Sequence, residues 1–364
     1  MFGFGKPTFL GIDFGTSSVK VVVLSVKENK PILVNYGEVS LALLERAGLS
    51  SQGNYDATVT VYLRALLDRM QVRTKDAYVA MPAFIGLITL VDFPLMSERE
   101  LQEAIQFEAH KYIPSPLDEV ALSWEVVGES TSEPDPTTGR TNQKLEVLLV
   151  AALHKEVERY ESYVKAVDCE MKLLELETFS MVRSVVNGDA GTYLVIDIGS
   201  HSTNLVLVEN GLVKVSRNID VGGRDITRTL TESLSIASDR AEILKKSGKD
   251  FLNSPEGKLI FPSLEAIGSE ASRVIQNYLT RHQNSRIDGI ILSGGTAGFT
   301  GICTYYQNML GVPVSVGNPW RQIGYDPKIQ SAVDRMGPSF SVALGLALQG
   351  VGGVVKQKNK TQFK

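Results

Sequence analysis

The stretch Ile12-Asp13-Phe14-Gly15-Thr16-Ser17-Ser18-Val19-Lys20 decides the fold, because the chain repeats it as Ile196-Asp197-Ile198-Gly199-Ser200-His201-Ser202-Thr203-Asn204. The two copies align without a gap at an offset of 184 residues, since 197 minus 13 is 184. In each copy an apolar run leads into Asp-x-Gly-Thr/Ser-x-Ser, and a second apolar run follows, which is typical of a β-hairpin. The repeat predicts a duplicated domain with two equivalent hairpin turns facing each other across a cleft.

The residues of these turns suit a phosphate group. Gly15 and Gly199 let the backbone approach a ligand closely, and consecutive turn N–H groups can form an anion nest. Asp13 and Asp197 can hold a hydrated Mg²⁺ that bridges to phosphate oxygens, and Lys20 adds a compact positive charge. A single copy would be explained equally well as a capped hairpin turn. The predicted phosphate ligands are the turn hydroxyls Thr16, Ser17, Ser18, Ser200, Ser202 and Thr203.

A third glycine-rich turn, Ser293-Gly294-Gly295-Thr296, follows the apolar run 288–292 and precedes a predicted helix. The end of a strand before a helix is a natural place for the sugar, base or phosphate of a nucleotide. Taken alone, this turn is better explained as an ordinary strand–helix connection. Together with the two hairpins it completes an ordered set of two phosphate turns and one adenosine turn.

Composition restricts the class of protein. A chain of 364 residues exceeds one compact core, so two lobes are expected. The net charge of −4 gives no overall field that would favour nucleic acid. Cys169 and Cys303 make neither a disulfide framework nor a metal site. No apolar run reaches the ~18–20 residues of a membrane-spanning helix, and the N-terminus is too short for a signal peptide, so we expect a cytoplasmic protein.

The pattern of strands and helices divides the chain. Residues 84–167 read as strand, helix, strand, strand and helix, with a capping box at Ser97–Glu100, and this block has no counterpart in the second half. We therefore predict a subdomain inserted into the first lobe. Outside this block, we predict a helix over 175–187 and a helical region over 225–247. The predicted divisions are a first-lobe core at 1–82 and 173–189, an insertion at 83–172, a second-lobe core at 190–228 and 287–355, an upper subdomain at 229–286, and a basic, disordered tail at 356–364.

The order of the three turns resembles the ATPase superfamily of actin, chaperones and sugar kinases over nearly the whole chain. The resemblance implies an α/β, actin-like ATPase fold, with two duplicated lobes around a nucleotide cleft that binds ATP and Mg²⁺. It also implies that Glu242 and Lys245 flank the purine and ribose, although a solvated helix face explains them equally well. Glu177 lies where several members hold an acidic residue near the attacking water. Thr178 follows it here, where those members usually have proline.

The insertion at about residue 83 resembles that of the cell-division protein FtsA. Local sequence is more similar to the PilM family of type IV pilus assembly proteins. This similarity is carried by Ile12–Lys20, by Glu103–Ala109, by the stretch Tyr112-Ile113-Pro114-Ser115-Pro116, by Glu146–Ala152 and by Ala343–Ala347. The C-terminal residues 357–364 contain one large apolar side chain, which does not make the amphipathic membrane helix of an FtsA.

The resemblance to the PilM family implies a cytoplasmic ATP-binding scaffold at the inner face of the inner membrane. Its partner would be a PilN-like bitopic membrane protein, whose N-terminal cytoplasmic segment binds between the first-lobe core and the insertion, with further pilus platform or motor proteins and self-association left open. On this chain the groove would involve about Phe84–Pro94 and the helix 98–112, although core packing is the better explanation for Phe93, Leu95, Ile105 and Tyr112. The alternatives are an FtsA-like filament-forming protein and a sugar-kinase-like enzyme. The sequence marks no catalytic base for such an enzyme, and it leaves Asp189 and Asp225 open.

Overall fold

The computed structural model describes residues 7–41, 52–131, 143–254, 257–282 and 285–362. Its first sheet has the strand order β3-β2-β1-β4-β8. The central strand β1 is antiparallel to β2 and parallel to β4. With strands numbered along the chain, this sheet comprises β1 (Thr8–Phe14), β2 (Ser18–Lys27), β3 (Lys30–Ser40), β4 (Asp76–Met81) and β8 (Glu170–Leu176).

The second sheet repeats this topology with the order β11-β10-β9-β12-β13. Its central strand β9 is antiparallel to β10 and parallel to β12, as β1 is to β2 and β4. Asp13 pairs with Lys20 in the first hairpin, and Asp197 pairs with Asn204 in the second, so the two copies are in register. The strands are β9 (Thr192–Ile198), β10 (Thr203–Glu209), β11 (Leu212–Ile219), β12 (Gly289–Ser293) and β13 (Val314–Val316).

A third sheet, which we call the inserted sheet, has the order β5-β7-β6. It consists of β5 (Gly86–Pro94), β6 (Val120–Thr131) and β7 (Gln143–Leu153). Helix α2 (Glu98–Glu108) covers one face, and Phe93, Leu101 and Ile105 fill the core between them. The predicted capping box is present, since Ser97 and Glu100 exchange side-chain to backbone hydrogen bonds.

Helices α1 (Gln52–Arg69) and α3 (His154–Ala166) pack on one face of the first sheet, where Leu63, Tyr160 and Phe14 share a core. Helices α4 (Glu177–Val185) and α10 (Ser341–Gln362) cross each other between the lobes. A Cβ atom on Gly345 would lie 1.8 Å from the Ser180 carbonyl oxygen, so only glycine allows these two backbones to touch.

The remaining helices belong to the second lobe or follow it. They are α5 (Gly223–Leu234), α6 (Ser238–Lys245), α7 (Pro262–Arg281), α8 (Ile302–Leu310) and α9 (Gln330–Met336). Helices α5, α7 and α8 contribute Ile226, Ile267 and Tyr306 to one buried core with strands β9, β10 and β12. Each lobe therefore has its own core beneath its own five-stranded sheet.

Several local predictions were wrong. Residues 170–176 form a strand, so the helix expected over 175–187 begins at Glu177. The region expected to be helical over 225–247 is two helices, separated where Ser235 adopts a left-handed φ of 51°. The tail predicted to be disordered continues α10 as far as Gln362. Strand β13 and helix α9 were not predicted, because both are short and lack a clear periodicity.

The division of the chain into lobes and subdomains remains a proposal. The core beneath the first sheet includes Tyr160, Tyr163 and Val164 of α3, and β8 is the fifth strand of that sheet. The prediction assigned both elements to the insertion at 83–172. These contacts favour a shorter insertion, which ends near Leu153.

Candidate functional site

The two hairpin turns have the same local geometry. A Cβ atom on Gly15 would lie 2.9 Å from the Ser18 carbonyl oxygen, and one on Gly199 would lie 2.9 Å from the Ser202 carbonyl oxygen. A real Cβ contact is not that short, so both turns require glycine at this position. The backbone N–H of Gly199 closes the second turn by donating to Ser202 O at 3.0 Å.

The tips of the two turns meet across the cleft. Nδ1 of His201, in the second turn, is 3.0 Å from Oγ1 of Thr16 in the first. The guanidinium of Arg224 contacts the other ring nitrogen of His201. Because arginine only donates, this contact makes Nε2 the acceptor and leaves the ring proton on Nδ1, which donates to Thr16. The cleft is thus bridged by one described side-chain contact between its two turns.

Sequence reasoning did not select His201 or Arg224 as site residues. His201 occupies a variable position of the repeated motif, where the first copy has Ser17, so its type gave no signal. Arg224 lies outside the motif, directly after Gly222-Gly223 at the start of α5. A Cβ atom on Gly222 would lie 2.6 Å from Ser200 O, and this tight glycine pair was the available signal that the helix start abuts the second turn.

Asp13 lies close enough to Asp197 to influence its ionisation. Burial raises the pKa of Asp13 to about 6, against the opposing charge of Lys20. Burial and the charge of Asp13 raise the pKa of Asp197 to about 6, opposed by a hydrogen bond from Ser293 and by Lys20. The cleft therefore holds two carboxylates whose negative charge is only partly balanced.

Glu177 adds a third carboxyl group at the start of α4. Its Oε1 accepts a hydrogen bond from the backbone N–H of Ala83 at 2.9 Å. Burial, and then the charge of Asp197, raise its pKa to about 8. Glu177 is therefore mostly protonated at neutral pH, and the charges of both aspartates act on its pKa.

Lys20 is the cation opposite these acids. Its side chain is 15% exposed, and its Nζ donates to Ser18 Oγ at 3.0 Å. Glu38 Oε1 lies 3.7 Å from the same ammonium group. The hairpin register holds Lys20 directly across from Asp13, so the ammonium and the carboxylate stay on one face of the first sheet.

The third turn lies against the second. Ser293 is in register with Asp197, and Gly294 adopts a left-handed φ of 85° with its Cβ position only 2.5 Å from Ile198 O. Only glycine fits there. In contrast, nothing lies within 4 Å of the Cβ position of Gly295, which faces open space. Thr296 is buried beside Gly223, so the third turn also contacts the start of α5.

Glu242 and Lys245 reach the same place from helix α6. Lys245 Nζ donates to Gly223 O at 3.1 Å and to Thr227 Oγ1 at 2.9 Å, and it pairs with Glu242 Oε2 at 2.7 Å. Burial lowers the pKa of Lys245, although its bond with Glu242 opposes this. Burial acts to raise the pKa of Glu242, but the bonds from Lys245 and Thr227 outweigh it and the net shift is downward. This pair is a packed part of the site rather than a solvated helix face.

Three candidate residues are engaged in structural contacts. The Thr203 hydroxyl is fully buried and donates to Val221 O at 2.7 Å. Asp225 accepts from the backbone N–H of Gly222 at 2.9 Å and so caps α5, while Asp189 pairs with Arg321 at 3.1 Å. Among the residues that the structure describes, no group of three histidine, cysteine or carboxylate side chains is arranged to hold a metal ion directly.

A cavity of about 660 Å³ opens beside the two turns. It lies between the first-lobe core, the start of the inserted sheet and the second turn. Phe84 on its wall is 49% exposed. Of the groove residues that were ascribed to the core, Phe93 and Ile105 are buried in the core of the insertion. Leu95 and Tyr112 are exposed, so that expectation was wrong for these two. The lining side chains include Phe14, Thr16, Tyr55, Phe84, Ile85, Glu156, Arg159, Tyr160, His201, Ser202 and Asp220.

Within the described ranges, no helix has the length and apolar character needed to span a membrane.

Comparison with known proteins identifies the family. The family described as type IV pilus assembly protein PilM matches residues 11–351. A solved PilM-PilN type IV pilus biogenesis complex is similar with a TM-score of 0.76 and 25% identity, over 94% of this chain and 98% of that one. The ethanolamine utilization protein EutJ from Carboxydothermus hydrogenoformans has the same fold, with a TM-score of 0.55 and 19% identity over 95% of this chain and 90% of its own.

A curated relative is the cell division protein FtsA of Neisseria meningitidis serogroup B, which is 24% identical over 92% of this chain and 88% of its own length. The predicted fold class is confirmed, since both lobes repeat one sheet topology around the turns and the similar proteins share it. The match to the family extends over nearly the whole chain, from the first turn to the last helix. The chain therefore belongs to the PilM family of type IV pilus assembly proteins.

Proposed function

We propose that this protein is an ATP-binding scaffold of the type IV pilus assembly platform, which binds the N-terminal cytoplasmic segment of a PilN-like membrane protein. The observation that carries the nucleotide part is the meeting of two equivalent turns at Thr16 and His201, with Asp13, Asp197 and Lys20 directly behind them. The partner follows from similarity to a PilM-PilN complex.

The residues of the cleft fit a magnesium–nucleotide complex. Burial is the main cause of the raised pKa values of Asp13 and Asp197, and a divalent cation held through water would stabilise both carboxylates. Two carboxylates without a third direct ligand suit Mg²⁺, because this ion keeps several of its water molecules. Phosphate oxygens would accept from the turn N–H groups, from Lys20 and from the hydroxyls of Thr16, Ser17, Ser18, Ser200 and Ser202.

The nucleoside part would lie toward helix α6. Gly295 faces open space, while Gly294, Thr296 and the Glu242–Lys245 pair form the adjacent wall. The Thr203 hydroxyl already donates to Val221 O, so we assign it to holding the second turn rather than to donating to phosphate.

The segment of the membrane partner would enter the cavity beside Phe84. This cavity lies between the first-lobe core and the inserted sheet, and it reaches Thr16 and His201 of the two turns. Its wall combines exposed aromatic surface with the guanidinium of Arg159, which pairs with Glu156 at 2.6 Å and lies 3.7 Å from Asp56 Oδ1. A peptide there could place a carbonyl oxygen against Arg159, and it would touch the same turns as the nucleotide.

Glu177 is the candidate for positioning water at the terminal phosphate. Its pKa of about 8 keeps it mostly protonated at neutral pH, which suits slow turnover rather than rapid hydrolysis. The protein would act in the cytoplasm, at the inner face of the inner membrane, through its partner.

The test is titration calorimetry of the full chain with Mg-ATP and with a synthetic peptide of the N-terminal segment of the PilN-like protein. The proposal predicts that both bind, that each changes the affinity for the other, and that Asp13→Ala weakens Mg-ATP binding. If ATP binds but the peptide does not, the proposed nucleotide cleft would stand and the proposed partner would be wrong. If neither binds, the three glycine-rich turns would have only a structural role.

Similarity to FtsA of Neisseria meningitidis favours one second candidate, a filament-forming protein. Polymerisation with Mg-ATP would support it, and light scattering of the purified chain with and without nucleotide would measure this.

A further inference from the structure

The inserted sheet contacts the second lobe at a buried ion pair. Lys214 of β11 pairs with Glu146 of β7, and the two side chains are only 7% and 8% exposed. Lys214 Nζ also donates to Val127 O of β6 at 3.2 Å and lies 3.7 Å from Glu209 Oε2 of β10. One ammonium group thus joins two strands of the inserted sheet to two strands of the second lobe.

The local backbone of the inserted sheet makes room for this lysine. The pairing of β6 with β7 is irregular between Val126 and Gly128, which leaves Val127 as an extra residue whose carbonyl is available to Lys214. A Cβ atom on Gly128 would lie 2.8 Å from Glu146 Oε2 and 3.0 Å from Lys214 Nζ. The bulge at Val127 and the missing side chain at Gly128 therefore leave room for Lys214 between the inserted sheet and the second lobe.

The surroundings of the pair are apolar. Val127 and Leu148 of the inserted sheet share one buried cluster with Val206, Val208 and Val213 of the second lobe. Away from water, losing one partner leaves an uncompensated buried charge, so such a pair is hard to separate. Glu209 also accepts a hydrogen bond from Tyr278 of α7 at 2.7 Å, which continues the polar contacts into the second lobe.

We propose that this ion pair fastens the inserted sheet to the second lobe, so that the sheet moves with that lobe although the chain inserts it into the first. A change in the angle between the lobes would then shift the sheet relative to the first-lobe core. This consequence rests on the proposed nucleotide cleft, but the fastening itself does not. Through the ion pair, a change in the angle between the lobes would also alter the cavity beside Phe84, which lies where the inserted sheet begins.

Hydrogen–deuterium exchange of the full chain tests the fastening without any ligand. Lys214→Met keeps the length of the side chain and leaves Glu146 unpaired. We expect exchange over 120–131, 143–153 and 212–219 to become faster by on the order of tenfold, with the strands of the first sheet unchanged. The matched control is Lys144→Met, two residues from Glu146 on the same strand, because Lys144 pairs with Asp92 inside the inserted sheet at 3.6 Å.

Exchange in Lys214→Met equal to that in Lys144→Met would overturn the proposal. If Lys214→Met does not fold, Glu146→Gln takes its place with the same readout, because the amide still accepts from Lys214 but no longer balances its charge. Addition of Mg-ATP then tests whether the inserted sheet follows the second lobe. In the wild type, Mg-ATP should change exchange both over 192–219 in the second lobe and over 143–153 in the inserted sheet. In the variant, it should change exchange over 192–219 alone.

Calorimetry on the same samples keeps the two proposals separate. Absence of ATP binding to the wild type would overturn the proposed cleft, while the ligand-free exchange still decides the fastening. If the wild type binds ATP but its hydrogen–deuterium exchange over 143–153 does not change, the inferred coupling between the nucleotide cleft and the inserted sheet would be wrong.

Discussion

The first and second turns share their backbone and differ in their chemistry. Both need glycine at the same position, and both follow the central strand of a sheet with the same order. The residue in register with the aspartate is Lys20 in the first turn and Asn204 in the second. Lys20 keeps its ammonium group in the cleft, beside Ser18.

The side-chain amide of Asn204 makes structural hydrogen bonds. It is 2% exposed, donates to Thr178 Oγ1 at 2.8 Å, and accepts from Ser216 Oγ at 3.2 Å. Thr178 follows Glu177 at the start of α4, so Asn204 anchors the helix that carries the third carboxyl group of the site. At this equivalent position, the first copy therefore carries a positive charge, whereas the second copy holds α4 in place.

The largest effect should come from making the first turn resemble the second. Lys20→Asn removes the lysine that pairs with Asp13 across the hairpin, and we expect affinity for Mg-ATP to fall by roughly 30- to 100-fold, about 2–3 kcal/mol. The free energy of unfolding should change little. Calorimetry measures both the variant and the control Lys27→Asn, an exposed lysine on the same strand. Equal affinities in the two variants would remove Lys20 from the site.

A second substitution tests the structural role of Asn204 in the second turn. Asn204→Leu keeps the volume but leaves the buried Thr178 hydroxyl without its donor, and we expect a loss of about 2 kcal/mol in the free energy of unfolding. Urea unfolding measures it, and a double-mutant cycle with Thr178→Val should recover a coupling energy. Additive effects would mean that the two side chains do not act together.

A smaller effect concerns Glu177 and pH. Its folded pKa of about 8 exceeds its unfolded value of 4.5, so the unfolded chain binds fewer protons between these values and wild-type stability falls as pH rises through this window. Glu177→Gln should remove this part of the loss and gain about 1 kcal/mol at pH 8 relative to pH 7. Urea unfolding at both pH values, with the exposed Glu119→Gln as control, measures it. A pH dependence like that of the wild type would contradict the raised pKa.

The smallest effect should come from the contact between the turn tips. Thr16→Val removes the acceptor of the His201 hydrogen bond and one predicted phosphate ligand. We expect a loss of roughly two- to threefold in affinity for Mg-ATP, about 0.5 kcal/mol, with no change in unfolding. A loss as large as that of Lys20→Asn would mean that the hydroxyl, rather than the charge, dominates the first turn.

Several features followed from the sequence alone, because they depend on local pattern. The repeat around Asp13 and Asp197 predicted two equivalent hairpins, since strand–turn–strand spacing is written in consecutive residues. The capping box at Ser97 was predicted for the same reason. The fold class followed from the resemblance that these contiguous motifs carry. The family followed as well, because its motifs are contiguous stretches of the chain.

Other features required the tertiary structure, because they join residues far apart in the sequence. Contact between Thr16 and His201, and the distinct roles of Lys20 and Asn204, depend on how two sheets face each other. The raised pKa of Glu177 comes from burial and from Asp197, neither of which a sequence position specifies. Lys214 and Glu146 lie 68 residues apart in the sequence, and only the packing of the inserted sheet against the second lobe makes them a buried pair.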